Sequence, residues 1–176
     1  MARAPARAGS GDGHRGSVAN VEPALHPDCE QLAFLLGTWR GEGEGEWPRG
    51  EPFRYGEEMT FEHVGDPFLI YQSRSWMLED GAPLHFERGF LRPGGPGRVE
   101  IVLAHPLGIA EVAEGTVEGT TIDAASTDVV TTSTGSPVTV LQRRIEVRDD
   151  RLTYELHMAM HEVAIMRHLR AELVRT

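Results

Sequence analysis

Apolar and polar residues alternate along most of the chain after residue 36, which is the pattern of β-strands that bury one face. In residues 152–158 every second side chain is apolar, and this period of two is the signature of a half-buried strand. Residues 101–103, 138–141 and 145–147 are rich in the β-branched side chains that favour strands. About ten such segments follow one another without helical periodicity between them, so the pattern predicts an antiparallel all-β fold.

Short clusters of glycine, proline and aspartate separate these segments, and such residues favour turns because they supply unusual or fixed backbone angles. The clusters are Gly65-Asp66-Pro67, Glu79-Asp80-Gly81, Gly94-Gly95-Pro96-Gly97, Val117-Glu118-Gly119, Gly135-Ser136-Pro137 and Arg148-Asp149-Asp150. An open sheet of this many strands would curl or split. We therefore predict a closed antiparallel β-barrel of about ten strands, similar to fatty-acid-binding proteins and lipocalins, with an interior that can hold one small ligand.

The chain before the strands divides into two parts. Residues 1–22 are rich in alanine, arginine, glycine and serine without the apolar segment of a signal peptide, so we expect a flexible N-terminal arm. Apolar residues then fall near helical spacing, with acids in the first turn and Gly37 as a stop. This predicts one short helix at about residues 27–36, within a barrel domain over residues 23–176.

Composition and charge narrow the function. The 176 residues carry 17 Lys and Arg against 27 Asp and Glu, a net charge of −10, which argues against nucleic-acid binding. No apolar run approaches the ~20 residues of a membrane span, so we expect no membrane association. Cys29 is the only cysteine, which excludes an internal disulfide and a Cys-rich metal site. It fits a reducing compartment, and we expect a cytoplasmic protein.

A glycine-rich segment stands out in residues 37–48, where glycine recurs in Gly-Thr-Trp-Arg-Gly-Glu-Gly-Glu-Gly-Glu-Trp-Pro. Gly37, Gly41 and Gly43 leave a bare strand face that a neighbouring chain or a ligand can approach closely. The acidic residues between them and the missing helix argue against a dinucleotide-binding loop. We interpret the segment as the seam of the barrel, with Trp39 filling one end of the core. Ligand contact is the alternative.

This segment resembles the nitrobindins, a family of small haem-binding β-barrels. The resemblance covers about residues 25 to 175 and continues, in order and spacing, through five further segments. These are Phe53-Arg54-Tyr55-Gly56-Glu57-Glu58, His63-Val64-Gly65-Asp66-Pro67-Phe68-Leu69, Pro83-Leu84-His85-Phe86-Glu87-Arg88-Gly89-Phe90, Met158-Ala159 and Arg167-His168-Leu169.

The resemblance implies a haem site. His168 matches the family's proximal ligand to the haem iron. Strand alternation alone, however, puts it on the same face as Arg170 and not on the face of the apolar row. A β-bulge or a partly polar cavity would reconcile the two. Arg49 stands where the family often has a threonine, and could pair with a haem propionate or project into solvent. Met158 and Met160 are expected to line the distal wall.

Arg143 interrupts the apolar row of its strand, which makes it a candidate counter-charge to a propionate; a surface arginine whose stem alone is covered is the alternative. Because adjacent strand residues face opposite sides, Glu57 and Glu58 do not form an acid–base pair, and we place both outside the pocket. His157 is expected at the rim or surface.

By resemblance, the chain is an enzyme that isomerises peroxynitrite to nitrate at ferric haem b, with one haem per chain and with nitric oxide binding as a related property. The expected partners are these small molecules, and a homodimer stays open. The alternative from another functional class is a haem-free barrel that carries a lipid or another hydrophobic small molecule.

Overall fold

A computed structural model describes residues 23–48 and 50–176 as a closed antiparallel barrel. Each strand pairs with its neighbours in sequence, and β1 pairs with β10 to close the ring. The all-β barrel of about ten strands predicted from the sequence is therefore confirmed. The strands are β1 (Gly37–Gly45), β2 (Phe53–Glu62), β3 (Leu69–Met77), β4 (Pro83–Pro93), β5 (Arg98–His105), β6 (Ile109–Glu118), β7 (Thr121–Thr131), β8 (Val138–Arg148), β9 (Arg151–Met160) and β10 (Val163–Arg175).

The predicted N-terminal helix is present as a 3₁₀ helix, Pro27–Leu35, that covers one end of the barrel. His26 precedes it, and its Nδ1 accepts a hydrogen bond from the Asp28 backbone N–H at 3.2 Å, which satisfies one of the free donors of a helix start. The helix turns its apolar side inward and buries Cys29 together with two leucines. Gly37 then takes a φ of 113°, a conformation that glycine adopts without steric penalty.

Trp39 closes the barrel beneath this helix, as the sequence predicts. Its side chain has no exposed surface, its indole N–H donates to the Leu35 carbonyl at 2.7 Å, and the Arg175 guanidinium lies 4.1 Å from its ring centre. Large apolar side chains from the adjoining strand ends complete the core around it, among them Phe61, Leu69, Leu152 and Leu173. This end of the barrel is therefore filled with side chains.

The glycines of β1 form the seam, which confirms that interpretation. Gly41 pairs with Leu173 of β10, and a Cβ atom added to Gly41 would lie 2.1 Å from the Glu172 carbonyl oxygen. A Cβ on Gly43 would lie 2.4 Å from the Tyr55 ring. Close approach of β10 and of an aromatic ring thus requires glycine at both positions.

Two sequence expectations fall outside the described part of the chain: the arm of residues 1–22 and the role of Arg49. None of the helical segments in residues 23–48 and 50–176 combines the length and the hydrophobicity that crossing a membrane requires.

We expect Gly41→Ala to destabilise the barrel by about 1–3 kcal/mol, because the added methyl group meets the backbone of β10 and can be accommodated only by moving a strand. Urea unfolding followed by circular dichroism measures the change. Gly94→Ala is the matched control, since its added Cβ would make ordinary contacts at 3.4 Å. Equal stability of the two variants would contradict the seam.

Candidate functional site

The end of the barrel opposite Trp39 contains a cavity of about 270 Å³. The strand register shows that the two ends are distinct, because Trp39 pairs with Arg175 at one end of the β1–β10 seam and Gly45 pairs with Leu169 at the other. The walls are mainly apolar. A smaller set of polar side chains reaches the cavity, and the set includes His168 and Arg143. A concave, largely apolar site with a few convergent polar groups is typical of small-molecule binding.

His168 reaches the cavity because β10 contains a bulge. Arg167 pairs with His157 of β9, and Leu169 pairs with the adjacent residue of that antiparallel strand, Leu156. His168 is therefore an extra residue without a cross-strand partner on that side. A bulge reorients the side chains around it. Both His168 and Leu169 consequently line the cavity, and the conflict with strand parity is resolved.

The ring of His168 is held in one tautomer. Its Nδ1 lies 2.7 Å from the Glu46 carbonyl oxygen, which can only accept, so Nδ1 carries the proton and Nε2 keeps its lone pair. Burial lowers the pKa of His168, against the opposing effect of this hydrogen bond, and favours the neutral ring. The Glu46 N–H also donates to the His168 carbonyl at 2.8 Å, which anchors the bulge to β1.

Apolar side chains line the part of the barrel that this imidazole enters. The ring centre of Trp47 lies 4.6 Å from that of His168, at a tilt of 56°. Met158 is buried and Met160 is half-buried, and both line the cavity; their place on the distal side of a haem stays a prediction. His157 is half-buried and is not among the described residues that line it, in agreement with its expected place.

Arg143 is buried and lines the cavity, but its charge is balanced by protein carboxylates. Its guanidinium donates to Glu111 at 2.6 Å and lies 3.6 Å from Glu87. Glu111 has no exposed surface. These pairs favour a structural role for Arg143 over contact with a propionate.

The expectation that Glu57 and Glu58 both lie outside the pocket is wrong for Glu57. Glu57 is 4% exposed and lines the cavity, whereas Glu58 lies on the outer face and pairs with Arg74. The two do face opposite sides, as adjacent strand residues must. Glu57 shares its parity with the inward-facing Tyr55 and Met59, and that row decides its direction.

A chain of hydrogen bonds makes burial of Glu57 tolerable. Ser73 and Tyr154 each donate a hydroxyl to its carboxylate at 2.6 Å, and the Tyr154 hydroxyl lies 2.6 Å from that of Tyr55. Burial nevertheless raises the pKa of Glu57 to about 7, with the two hydrogen bonds acting against the shift. The group therefore changes charge near neutral pH.

These residues fit a haem. A neutral imidazole with its Nδ1–H held by a backbone carbonyl is the usual form of a histidine that ligates iron through Nε2. The apolar walls provided by Trp47, Met158 and Met160 suit the faces of a porphyrin. In the described residues, His168 is the histidine in which both features meet.

Comparison with known proteins agrees with this geometry. A family model described as the THAP4-like, heme-binding beta-barrel domain matches residues 28–175. The chain belongs to this family. The matched range contains all ten strands, and the helix apart from its first residue.

Relatives of this haem-binding barrel match nearly the same range. The protein named peroxynitrite isomerase 2 from Mycobacterium marinum is 46% identical over 86% of this chain and 96% of that protein. The peroxynitrite isomerase of Nocardia farcinica is 44% identical over 90% of this chain and 98% of that protein. The crystal structure of Rv2717c from M. tuberculosis superimposes with a TM-score of 0.81 at 41% identity, over 87% of this chain and 99% of that one.

Sequence reasoning missed a second group of polar residues in the cavity of this haem-binding barrel. His85, Glu87 and His105 all line it. His85 and Glu87 are two apart on β4 and so share a face, and this spacing was the available signal. It was weak because outward-facing polar residues show the same spacing.

We expect the free energy of unfolding to fall as pH rises from about 5 to about 8, because of Glu57. Its pKa in the folded state, about 7, exceeds the ordinary value of 4.5. The folded state therefore holds this proton more tightly than the unfolded state, and stability is lost as the proton leaves. Urea unfolding at each pH measures the change. Between about pH 5 and pH 8 the free energy of unfolding should fall by an amount on the order of 2 kcal/mol in the unmodified protein, and this decrease should be absent in Glu57→Gln.

The adjacent outer-face variant Glu58→Gln is the control and should retain the decrease caused by Glu57. A pH dependence that is the same in Glu57→Gln and in the unmodified protein would contradict the assignment.

Proposed function

We propose that this chain is a peroxynitrite isomerase that binds one ferric haem b through His168 and converts peroxynitrite to nitrate. The observation that carries the proposal is the bulge of β10, which directs a neutral imidazole with a fixed tautomer into the open end of the barrel. The relatives named peroxynitrite isomerase support the choice of reaction, since they match this chain over most of both lengths.

The cysteine content supports the b type by arguing against a c-type haem. Covalent attachment of a c-type haem needs cysteine thiols beside the haem, and the sequence has only Cys29. Cys29 is fully buried in the helix at the closed end. One end of the barrel is filled with side chains, and the bulge directs one histidine into the open end. This arrangement supports a single haem per chain.

Haem iron, when bound, supplies a coordination position at which peroxynitrite rearranges to its isomer nitrate, so neither an oxidant nor a reductant is consumed. The protein's part is to hold, orient and shield. The Glu46 carbonyl fixes the His168 ring and increases the basicity of Nε2. Trp47 packs against the same ring and limits its rotation. The methionine wall of β9 keeps water from part of the cavity.

The reaction converts one anion into an isomeric anion with no net proton transfer, so no carboxylate has to act as an acid or a base. Glu58 and His157, which are not among the described residues that line the cavity, should therefore be dispensable for activity. Nitric oxide is also a ligand of haem iron, and we include its binding in the proposal.

We expect His168→Ala to weaken haem binding at least about tenfold, since the loss of the iron ligand should cost no less than the loss of a group that orients one. Titration with haemin, followed by the Soret absorbance band, measures the affinity. The barrel should stay folded by circular dichroism, because His168 is only half-buried. His157→Ala is the matched control on the neighbouring strand and should bind haem normally. An unchanged Soret band in His168→Ala would assign the iron to another residue.

The reaction is tested by rapid mixing of peroxynitrite with the ferric protein, following both its decay and the nitration of added tyrosine. The proposal predicts faster decay and less nitration with the haem-loaded protein than with the haem-free protein. Decay no faster than that of the haem-free protein would contradict the isomerase. If the protein also failed to bind haemin, the haem-free carrier of a hydrophobic molecule would be the better assignment.

A further inference from the structure

A second site lies in the same cavity and does not include the iron ligand. We propose that His85, Glu87 and His105 bind a divalent first-row transition-metal ion, with Zn²⁺ as the ion that their chemistry suits best. One ligand atom from each of the three lies within 4.8 Å of the other two. Two imidazoles and one carboxylate are a ligand set that proteins use for zinc.

Neighbouring strands bring these residues together. His85 and Glu87 project from the same face of β4, and His105 ends β5, which pairs with β4 through Arg88 and Ala104 next to them. The three side chains therefore stand on hydrogen-bonded strands rather than on loops. A site built on such rigid elements is held in place before a ligand arrives.

The distances between the three ligand atoms match a tetrahedral ion. His105 Nδ1 lies 3.2 Å from His85 Nε2 and 3.2 Å from Glu87 Oε2, and the latter two atoms are 3.6 Å apart. Ligands about 2.1 Å from a tetrahedral zinc ion are separated by about 3.4 Å from one another. The three atoms thus already form nearly the required triangle, and the cavity leaves a fourth position to solvent or to a small ligand.

The surrounding groups supply what a metal site needs beyond its ligands. His105 is 5% exposed at its side chain, and its Nε2 has no hydrogen-bond partner among the described residues. Coordination through Nδ1 would put the proton on Nε2, which lies 3.4 Å from the Glu111 carboxylate. A metal-bound histidine commonly donates its other N–H to a carboxylate in this way. Tyr71 donates to the second oxygen of Glu87 at 2.6 Å and orients that carboxylate.

Charge also favours a cation. Glu87 and Glu111 face a single guanidinium, that of Arg143, so the carboxylates outnumber the guanidinium by one. A divalent ion would neutralise the excess charge where water is largely excluded.

The test is a titration of the full-length haem-free protein with Zn²⁺ against a chromophoric chelator, with Co²⁺ as a spectroscopic probe. We expect one Zn²⁺ per chain, and Co²⁺ absorption of the intensity typical of four-coordinate nitrogen and oxygen ligation. Glu87→Gln and His105→Gln should each weaken Zn²⁺ binding at least about tenfold, and Glu111→Gln should weaken it about tenfold because His105 Nε2 would no longer face a carboxylate.

The control variants separate this site from the haem site. His168→Ala, which should abolish haem ligation, and His161→Ala, on the exposed turn after β9, should both bind Zn²⁺ as the unmodified protein does. Because Glu87→Gln could unfold the barrel by leaving Arg143 less well paired, histidine ring ¹⁵N resonances of the unmodified protein provide a second measurement. Zn²⁺ should shift those of His85 and His105.

The proposal is overturned if no stoichiometric Zn²⁺ binds, if folded Glu87→Gln and His105→Gln bind it unchanged, or if it shifts other histidines instead. Each of these outcomes is independent of whether the protein binds haem or acts on peroxynitrite.

Discussion

The hydrogen bond between His168 and the Glu46 carbonyl, made across the seam of the barrel, is the interaction on which the haem site depends. It exists because β10 carries one residue more than β9 at this point, so that an imidazole turns inward where the alternation would turn it out. The same seam requires the glycines of β1, since β10 and the aromatic rings of β2 approach that strand closely. Barrel closure and ligand placement therefore both depend on β10, the first through its pairing with β1 and the second through the bulge in its pairing with β9.

The interior of the barrel is unusual in holding charge as well as apolar surface. Glu57, Glu111 and Arg143 are all buried, and an unpaired charge in such surroundings would be strongly destabilising. Hydroxyl groups from Ser73 and Tyr154 compensate the first, and an ion pair compensates the other two. The filled end at Trp39 contributes stability through apolar burial, which leaves the open end free to hold polar groups for function.

The sequence predicts the fold well because strand alternation and turn residues act locally. The seam and the buried Trp39 also follow from local pattern, through the glycines on one strand face. The side chains of the cavity are harder to predict. The bulge at His168 depends on the register of β9 against β10, which local pattern does not determine, and only family resemblance indicated that residue.

The sequence prediction for Glu57 was wrong for a different reason. The row of Tyr55, Glu57 and Met59 contains the signal for its direction, but a carboxylate is ordinarily on the outer face because burial of its charge is unfavourable. Ser73 and Tyr154, which reverse that preference, are distant in sequence. His85 and His105 were missed for the same reason, since their proximity arises only when β4 and β5 pair.

Resonance Raman spectroscopy of the ferrous haem complex, with and without ¹⁵N-labelled histidine, tests the central claim that the bulge supplies the iron ligand. We predict an iron–imidazole stretching band that shifts with the label, disappears in His168→Gly and returns when imidazole is added to that variant. A band that persists unchanged in His168→Gly would show that another histidine binds the iron and would contradict the account.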